Sequence, residues 1–418
     1  MNENDALRGS MLSKLSNRPL FYDQGGLDLL QAPFVDQSLL SRRVMLSLGR
    51  AADQALLRGP YSVVDKTSLP PSGDPHDYYH PAPYFWPRKY FGRWLPAKRR
   101  DGLRVPGTRL YEPESDRYDR TRLQRMFDDT TVLALAWSAT GDDRYAQHAI
   151  LLVGTWFVDS DTRMNPHLTC AQVRPGRGRK QGSKSGVIEF KDVYFFLDAV
   201  RLLKEYSQWT VSLDKAFNSW MWDYCDWLRS SRQGRAESAS KNNHGTCYDL
   251  QLGAIAAFLG AQDVMDPLLH GLEQRLLEQF TPQGFQPLEA SRTQTQHYFA
   301  FNLQCWMNLA VLTQSVGVDL WELSSRVNRP LTGALEYLLS YTDKPWEMEQ
   351  IDVFAEERFG PLLLAYHARQ KKPLSRVQLS TPLNPVVFPH YAVRPFWVLG
   401  AELGTSFLNE FLYSQFDD

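Results

Sequence analysis

The sequence lacks most of the signatures that would assign a class at once. Its four cysteines, Cys170, Cys225, Cys247 and Cys305, show no C-x-x-C spacing. That excludes a zinc ribbon and a disulfide framework, and leaves four small buried side chains as the expectation. Charge of one sign is also lacking: 46 basic residues face 47 acidic ones, for a net charge of −1. No global excess therefore steers the chain to nucleic acid. No uninterrupted apolar run is long enough to cross a bilayer. The opening M-N-E-N-D-A-L-R-G-S has no basic region followed by an apolar one, so the expectation is a soluble chain without a signal peptide in this sequence. There is no H-E-x-x-H, no Cys/His cluster and no evident carboxylate cage, so neither a metal nor another cofactor is expected. No low-complexity linker and no residue-level repeat divides the chain, and 1–418 reads as one domain.

Aromatic residues are plentiful: 12 Trp, 19 Tyr and 22 Phe make 13% of the chain. Such content serves a large core, and flat rings also stack on sugar faces. Helical periodicity dominates. In 211–229, Val211, Leu213, Phe217, Trp220, Met221, Tyr224 and Leu228 recur at spacings of mostly three and four, an amphipathic face. Similar patterns run around 38–57, 123–139, 143–158, 189–206, 246–260, 266–279, 297–316 and 326–341. Strand-like alternation is scarce, and 380–398 is too rich in proline for helix. The expected fold is all-α: an incomplete (α/α) toroid of antiparallel helical hairpins, in which helices apolar all round form the inner ring. Two long loops, 59–122 and 160–188, hold much of the Arg, Tyr, Trp and Pro. Loops of that length either wrap one end of the toroid or line a functional cleft.

Residues 238–260, S-A-S-K-N-N-H-G-T-C-Y-D-L-Q-L-G-A-I-A-A-F-L-G, pass from polar to wholly apolar. Thr246-x-x-Asp249 matches a capping signal, which starts the helix near Cys247 and leaves Asn243 and His244 just before it. There the N–H groups and the positive dipole end favour an anion and a neutral imidazole, the form a general base requires. The alternative is that both residues merely satisfy loop backbone. A second polar stretch, with Glu289, Arg292, His297 and Tyr298, opens another apolar helix in 287–312. The planar fork of arginine suits a carboxylate, and a tyrosine beside it is expected to have a lowered pKa. Asn, His, Arg and Tyr together fit proton abstraction alpha to a carboxylate followed by β-elimination.

Four stretches carry a family resemblance, in order: P-P-S-G-D-P-H-D-Y-Y-H-P-A-P-Y-F-W-P (70–87), T-R-M-N-P-H-L-T-C-A-Q (162–172), N-N-H-G-T-C-Y-D-L-Q (242–251) and Q-P-L-E-A-S-R-T-Q-T-Q-H-Y (286–298). From about residue 40 to 345 the chain resembles the alginate-lyase domain family of polysaccharide lyases. It looks closest to the branch of alginate and glucuronan lyases with an N-N-H-G-T-W-Y-D motif, with Cys247 where that branch has Trp. The resemblance implies a toroid with a long cleft for an anionic polysaccharide, alginate or glucuronan, and a secreted or periplasmic site of action. With the balanced charge and no membrane-length apolar run, no nucleic-acid or membrane partner is expected. Asn243 and Arg292 would neutralise the carboxylate of the cleaved unit. His244 and Tyr298 would be base and acid; Tyr298 would do both jobs when the C5 proton lies on the side of the leaving oxygen. Lys66, His76, Tyr84, Trp86, Arg163, Asn165, His167, Asn242, Glu289 and His297 would be further cleft residues. The basic run 174–180 would either contact distal carboxylates or form a solvated loop.

Two other classes stay open on the sequence. A glycoside hydrolase on the same toroid needs two opposed carboxylates, with Asp128, Asp129, Asp249 and Glu289 as candidates. A non-catalytic carbohydrate-binding protein would keep the toroid without turnover.

Overall fold

The computed structural model describes residues 15–22, 24–31, 39–91, 93–176, 180–342 and 344–370. The proline-rich segment 380–398 lies outside the described residues. The helices are α1 (Gln24–Gln31), α2 (Leu39–Leu56), α3 (Arg120–Thr140), α4 (Asp143–Val153), α5 (Val193–Leu203), α6 (Val211–Ser230) and α7 (Arg232–Ser238). They continue as α8 (Asn243–Leu259), α9 (Gln262–Gln279), α10 (Pro287–Ala290), α11 (Thr295–Ser315), α12 (Leu320–Arg326), α13 (Leu331–Leu339) and α14 (Phe359–Gln370). The fold is the all-α incomplete toroid expected. One contiguous apolar core reaches from Leu15 to Leu363. The four cysteines are buried and free.

The inner helices are those without a polar face. In α8 nearly every residue from Asn243 to Phe258 is buried, and α11 is buried from Tyr298 to Thr313 on all but a few positions. These two helices pack on each other, and α8 also meets α5, α6 and α9. The N-terminal segment is pinned by a buried carboxylate. Asp198 on α5 accepts from the backbone N–H groups of Leu20 at 2.9 Å, Phe21 at 2.5 Å and Tyr22 at 2.8 Å, and Arg201 neutralises it at 2.9 Å.

Three periodic stretches are broken. The 326–341 pattern forms a helix only from Leu331, as α13, because α12 ends at Arg326 and Pro330 supplies no N–H and is extended before α13. The 189–206 pattern opens as a 3₁₀ turn (Lys184–Phe190) before α5, and the 143–158 pattern ends in a single π-turn over Gly154–Val158. The two long loops carry the strands: β1 (Tyr79–Pro81), β2 (Phe85–Tyr90), β3 (Arg93–Arg99) and β4 (Cys170–Val173). β1 pairs in parallel with β4, tying one loop to the other, and β2 with β3 forms an antiparallel hairpin. Among the described residues no helix is long and apolar enough to cross a membrane.

Candidate active site

Helix α8 begins one turn earlier than its capping signal suggests. Asn242 is the extended N-cap, and Asn243 and His244 lie in the first turn. The N–H of Asn243, which the helix itself leaves unpaired, is taken by a carboxylate from elsewhere in the chain, Glu289 Oε1 at 2.7 Å. Thr246 therefore does not cap; its hydroxyl joins Gln279 and Asn302 at 2.9 and 2.8 Å. Asp249 pairs with Arg275 at 2.7 Å. Gln279 closes the network, accepting from Trp306 at 2.8 Å and donating to the Asn242 carbonyl at 3.0 Å. Such a buried and connected polar cluster fixes the entry of α8 relative to α9 and α11.

Gly245 is required by close packing. A Cβ there would lie 2.0 Å from the Ser240 carbonyl oxygen and 2.2 Å from Arg275 Nη1. Arg275 donates to the carbonyls of Ser238 and Ser240 as well as to Asp249, so it straps the end of α7 onto α8.

The first turn of α8 makes two carboxylate pairs. Asn243, fully buried, donates through Nδ2 to Glu289 Oε2 at 2.6 Å, and its carboxamide oxygen has no hydrogen-bond partner. Burial raises the Glu289 carboxyl above its usual range, against the bonds from Asn243. His244 Nδ1 lies 2.5 Å from Glu237 Oε1. Glu237 is itself buried, and its other oxygen accepts from Ser240 Oγ at 3.1 Å, which accepts from Lys184 Nζ at 2.6 Å. The dipole argument from the sequence left out this carboxylate, the direct partner of the ring. Nothing in the sequence marks Glu237, which sits on the separate helix α7.

Across the site, Arg292 is held by Asp101 through Nε at 3.0 Å and Nη2 at 2.9 Å. The same Nη2 donates to the Tyr298 hydroxyl at 2.7 Å, and the guanidinium lies over the Tyr298 ring at 3.8 Å. Tyr84 completes the group, its hydroxyl 3.2 Å from that of Tyr298. Burial raises Asp101, but the hydrogen bonds and charge of Arg292 outweigh it and hold the carboxyl below its usual range. The expected lowering of the Tyr298 pKa is not found. Burial and the neighbouring Tyr84 push Tyr298 well up, and Arg292 offsets only part of this. The lowered phenol is Tyr84: burial raises it, yet the charge of Arg104, the bond with Tyr298 and the charge of Arg292 prevail. Two touching phenols cannot both ionise readily, and Arg104 draws the first ionisation to Tyr84.

These groups face a cleft of about 840 Å³. Tyr84, Asn242, His244, Arg292, His297 and Tyr298 line it, whereas Asn243 and Glu289 are buried and do not. Among the described residues, ten lysines and arginines line the cleft against a single acidic residue, Asp192. His297 is neutral there, because burial and then the charges of Arg358, Arg104 and Arg292 hold its imidazole well below the usual range. Both long loops contribute walls, through Phe85, Arg99 and Arg104 from one and Gln172, Arg174 and Lys184 from the other. Of the basic run, Arg174 is on the cleft, while 177–179 lie outside the described residues.

The other sequence candidates do not line the cleft. Lys66 is fully buried against Asp119 at 3.1 Å and donates to the Val63 and Pro75 carbonyls. His76 binds the Arg163 carbonyl at 2.7 Å, and the Arg163 side chain is exposed. Asn165 donates to Asp74 and Asp77, and His167 meets Asp77 at 3.3 Å. His76, Arg163, Asn165 and His167 together hold one loop to the other. Trp86 donates to the Leu103 carbonyl at 3.0 Å beneath Arg100. The carboxylates proposed for hydrolysis are likewise committed: Asp128 accepts from Tyr111 and Gln124, Asp129 from Arg58 and Tyr61, Asp249 from Arg275.

The family described as alginate lyase matches residues 62–348. A crystal structure of an alginate lyase from Bacteroides ovatus is 33% identical, covering 85% of this chain and 92% of its own, with a TM-score of 0.78. An alginate lyase from Sphingomonas species A1 shares the fold at 15% identity, covering 79% of this chain and 89% of its own, with a TM-score of 0.50. No curated protein matches the sequence significantly. With the family matched over most of its length, and with a close structural likeness at that identity, the chain belongs to the alginate lyase family.

Proposed function

We propose that the protein is a polysaccharide lyase that cleaves a uronic-acid polymer, alginate or glucuronan, by β-elimination without a metal in the reacting centre. The observation that carries this reading is the joining of Arg292, Tyr298 and Tyr84 in one hydrogen-bonded group on the same cleft as His244. Arg292 neutralises charge that develops on the C6 carboxylate as the C5 proton leaves, while Asn243, buried with its Nδ2 on Glu289, holds the start of α8 behind His244. The C5–H electrons form the C4–C5 double bond, and the C4–O electrons depart with the leaving oxygen. Tyr298, whose phenol holds its proton firmly, protonates that oxygen. The base depends on the sugar. Where the C5 proton lies opposite the leaving oxygen, His244 takes it through Nε2, with Glu237 holding Nδ1. Where it lies on the same side, the Tyr84–Tyr298 pair passes it on, Tyr84 being the phenol that ionises first.

Hydrolysis is less well supported: among the described cleft residues Asp192 is the one carboxylate, and inversion or retention each requires two. The test is a panel of polymannuronate, polyguluronate and glucuronan, followed by ultraviolet absorbance of the unsaturated uronate. Wild type should produce it on at least one polymer, unchanged after treatment with a chelator. Tyr298→Phe should lose roughly 10²–10⁴ in kcat; a variant near the wild-type rate removes Tyr298 from the role, and chelator sensitivity removes the metal-free step.

A further inference from the structure

The β2–β3 hairpin has features that the elimination reaction does not use. Residues 85–100 contain five aromatic and six basic side chains and no acidic one. Each strand packs chiefly on the other, and an isolated two-stranded ribbon is marginal in water. Its turn presents Tyr90 and Phe91, 65% and 88% exposed, with rings edge to face at 4.5 Å. Phe91 has a φ of 45°, in the left-handed region where Asn or Gly sits without the penalty that a bulky side chain incurs. The turn thus holds a strained, solvated aromatic pair that adds little to the core, and strain of this kind collects at functional positions. At the other end of the ribbon, Phe85 and Arg99 form part of the cleft wall, with Arg174 stacked on the Phe85 ring at 4.2 Å. Six residues at roughly 3.3 Å each carry the strip about 20 Å from that wall to the turn.

We propose that this hairpin is an auxiliary binding strip for anionic polysaccharide, engaging the polymer outside the cleft. Tyr90 and Phe91 stack on sugar rings, and basic side chains such as Arg88 and Lys98 meet carboxylates. The identity of the polymer rests on the function proposed above. An aromatic and basic tip also suits an anionic lipid surface, but the continuity of the strip with the cleft wall favours the polymer.

The test compares wild type with Tyr90→Ala/Phe91→Ala and with Arg88→Ser/Lys98→Ser, on long alginate and on a short alginate oligomer. The proposal predicts that KM for the long polymer rises roughly five- to thirtyfold in the aromatic variant. kcat and the oligomer kinetics should stay at wild-type values. Unchanged KM on both substrates overturns it, as does an equal shift on both, which would make the hairpin only part of the cleft. Retardation in an alginate-containing gel separates the two proposals. Wild type that is retarded more than the variants, yet turns nothing over, sustains the strip and removes the lyase reading. Turnover with all three proteins equally retarded does the reverse. Binding to phosphatidylglycerol vesicles that is lost in the aromatic variant, with polymer affinity intact, assigns the strip to membranes instead.

Discussion

His244 shows how much a single side chain owes to groups far from it in sequence. Its ring is positioned by Glu237, a buried carboxylate on another helix that is steadied by Ser240. Replacing Glu237 with Gln keeps the shape and removes the charge that holds the Nδ1 proton. The expected outcome is a fall in kcat of roughly 10²–10⁴, the range of orienting carboxylates and general bases, with KM nearly unchanged; a rise in KM at constant kcat would make Glu237 a binding residue. Asp101 gives a prediction in pH. Its folded pKa lies below the ordinary value, because Arg292 outweighs burial. A carboxylate of this kind favours the folded state above its unfolded pKa of about 4, and the advantage drains as pH falls through the lower folded value. The melting temperature of wild type should therefore exceed that of Asp101→Asn most at neutral pH, with the gap closing below about pH 4. A constant gap across that range would contradict the ion pair.

At the scale of elements, α8 is a rigid mount whose start is set by other segments. Gly245→Ala should push Arg275 off the Ser240 carbonyl and loosen the strap that brings α7 to α8; the check is a lowered melting temperature together with reduced kcat. Asp198→Ala on α5 leaves three backbone N–H groups and Arg201 without their buried partner, and chemical denaturation should register a loss of about 3–5 kcal/mol. This scale also shows what the sequence could and could not convey. The inner helices were legible because α8 and α11 are apolar on every side, and Arg292 and Tyr298 were legible because they open one of them. The start of α8 was misread by one turn, since the carboxylate that satisfies its first N–H lies 46 residues away on Glu289. Glu237 and Asp101 were invisible for the same reason: each meets its partner only through the fold. The resemblance put Lys66, Asn165 and His167 in the cleft, whereas Asn165 and His167 tie the two long loops together at Asp77 and Lys66 is buried on Asp119 within one of them.

For the whole molecule, the net charge of −1 hides a cleft walled, among the described residues, by ten basic side chains and one acidic one. The balance is local, and a polyanion meets the local field. KM for the polymer should rise steeply as salt is raised from low ionic strength, while kcat changes little, because screening acts on encounter and binding; a KM indifferent to salt would contradict an electrostatic cleft. The central claim is that this cleft breaks the polymer by elimination, and product analysis in isotope-labelled water tests it most directly. The account predicts fragments that absorb in the ultraviolet, carry a terminal C4–C5 double bond and contain no oxygen from solvent at the broken linkage. Saturated fragments bearing one labelled oxygen at each cleavage would contradict it.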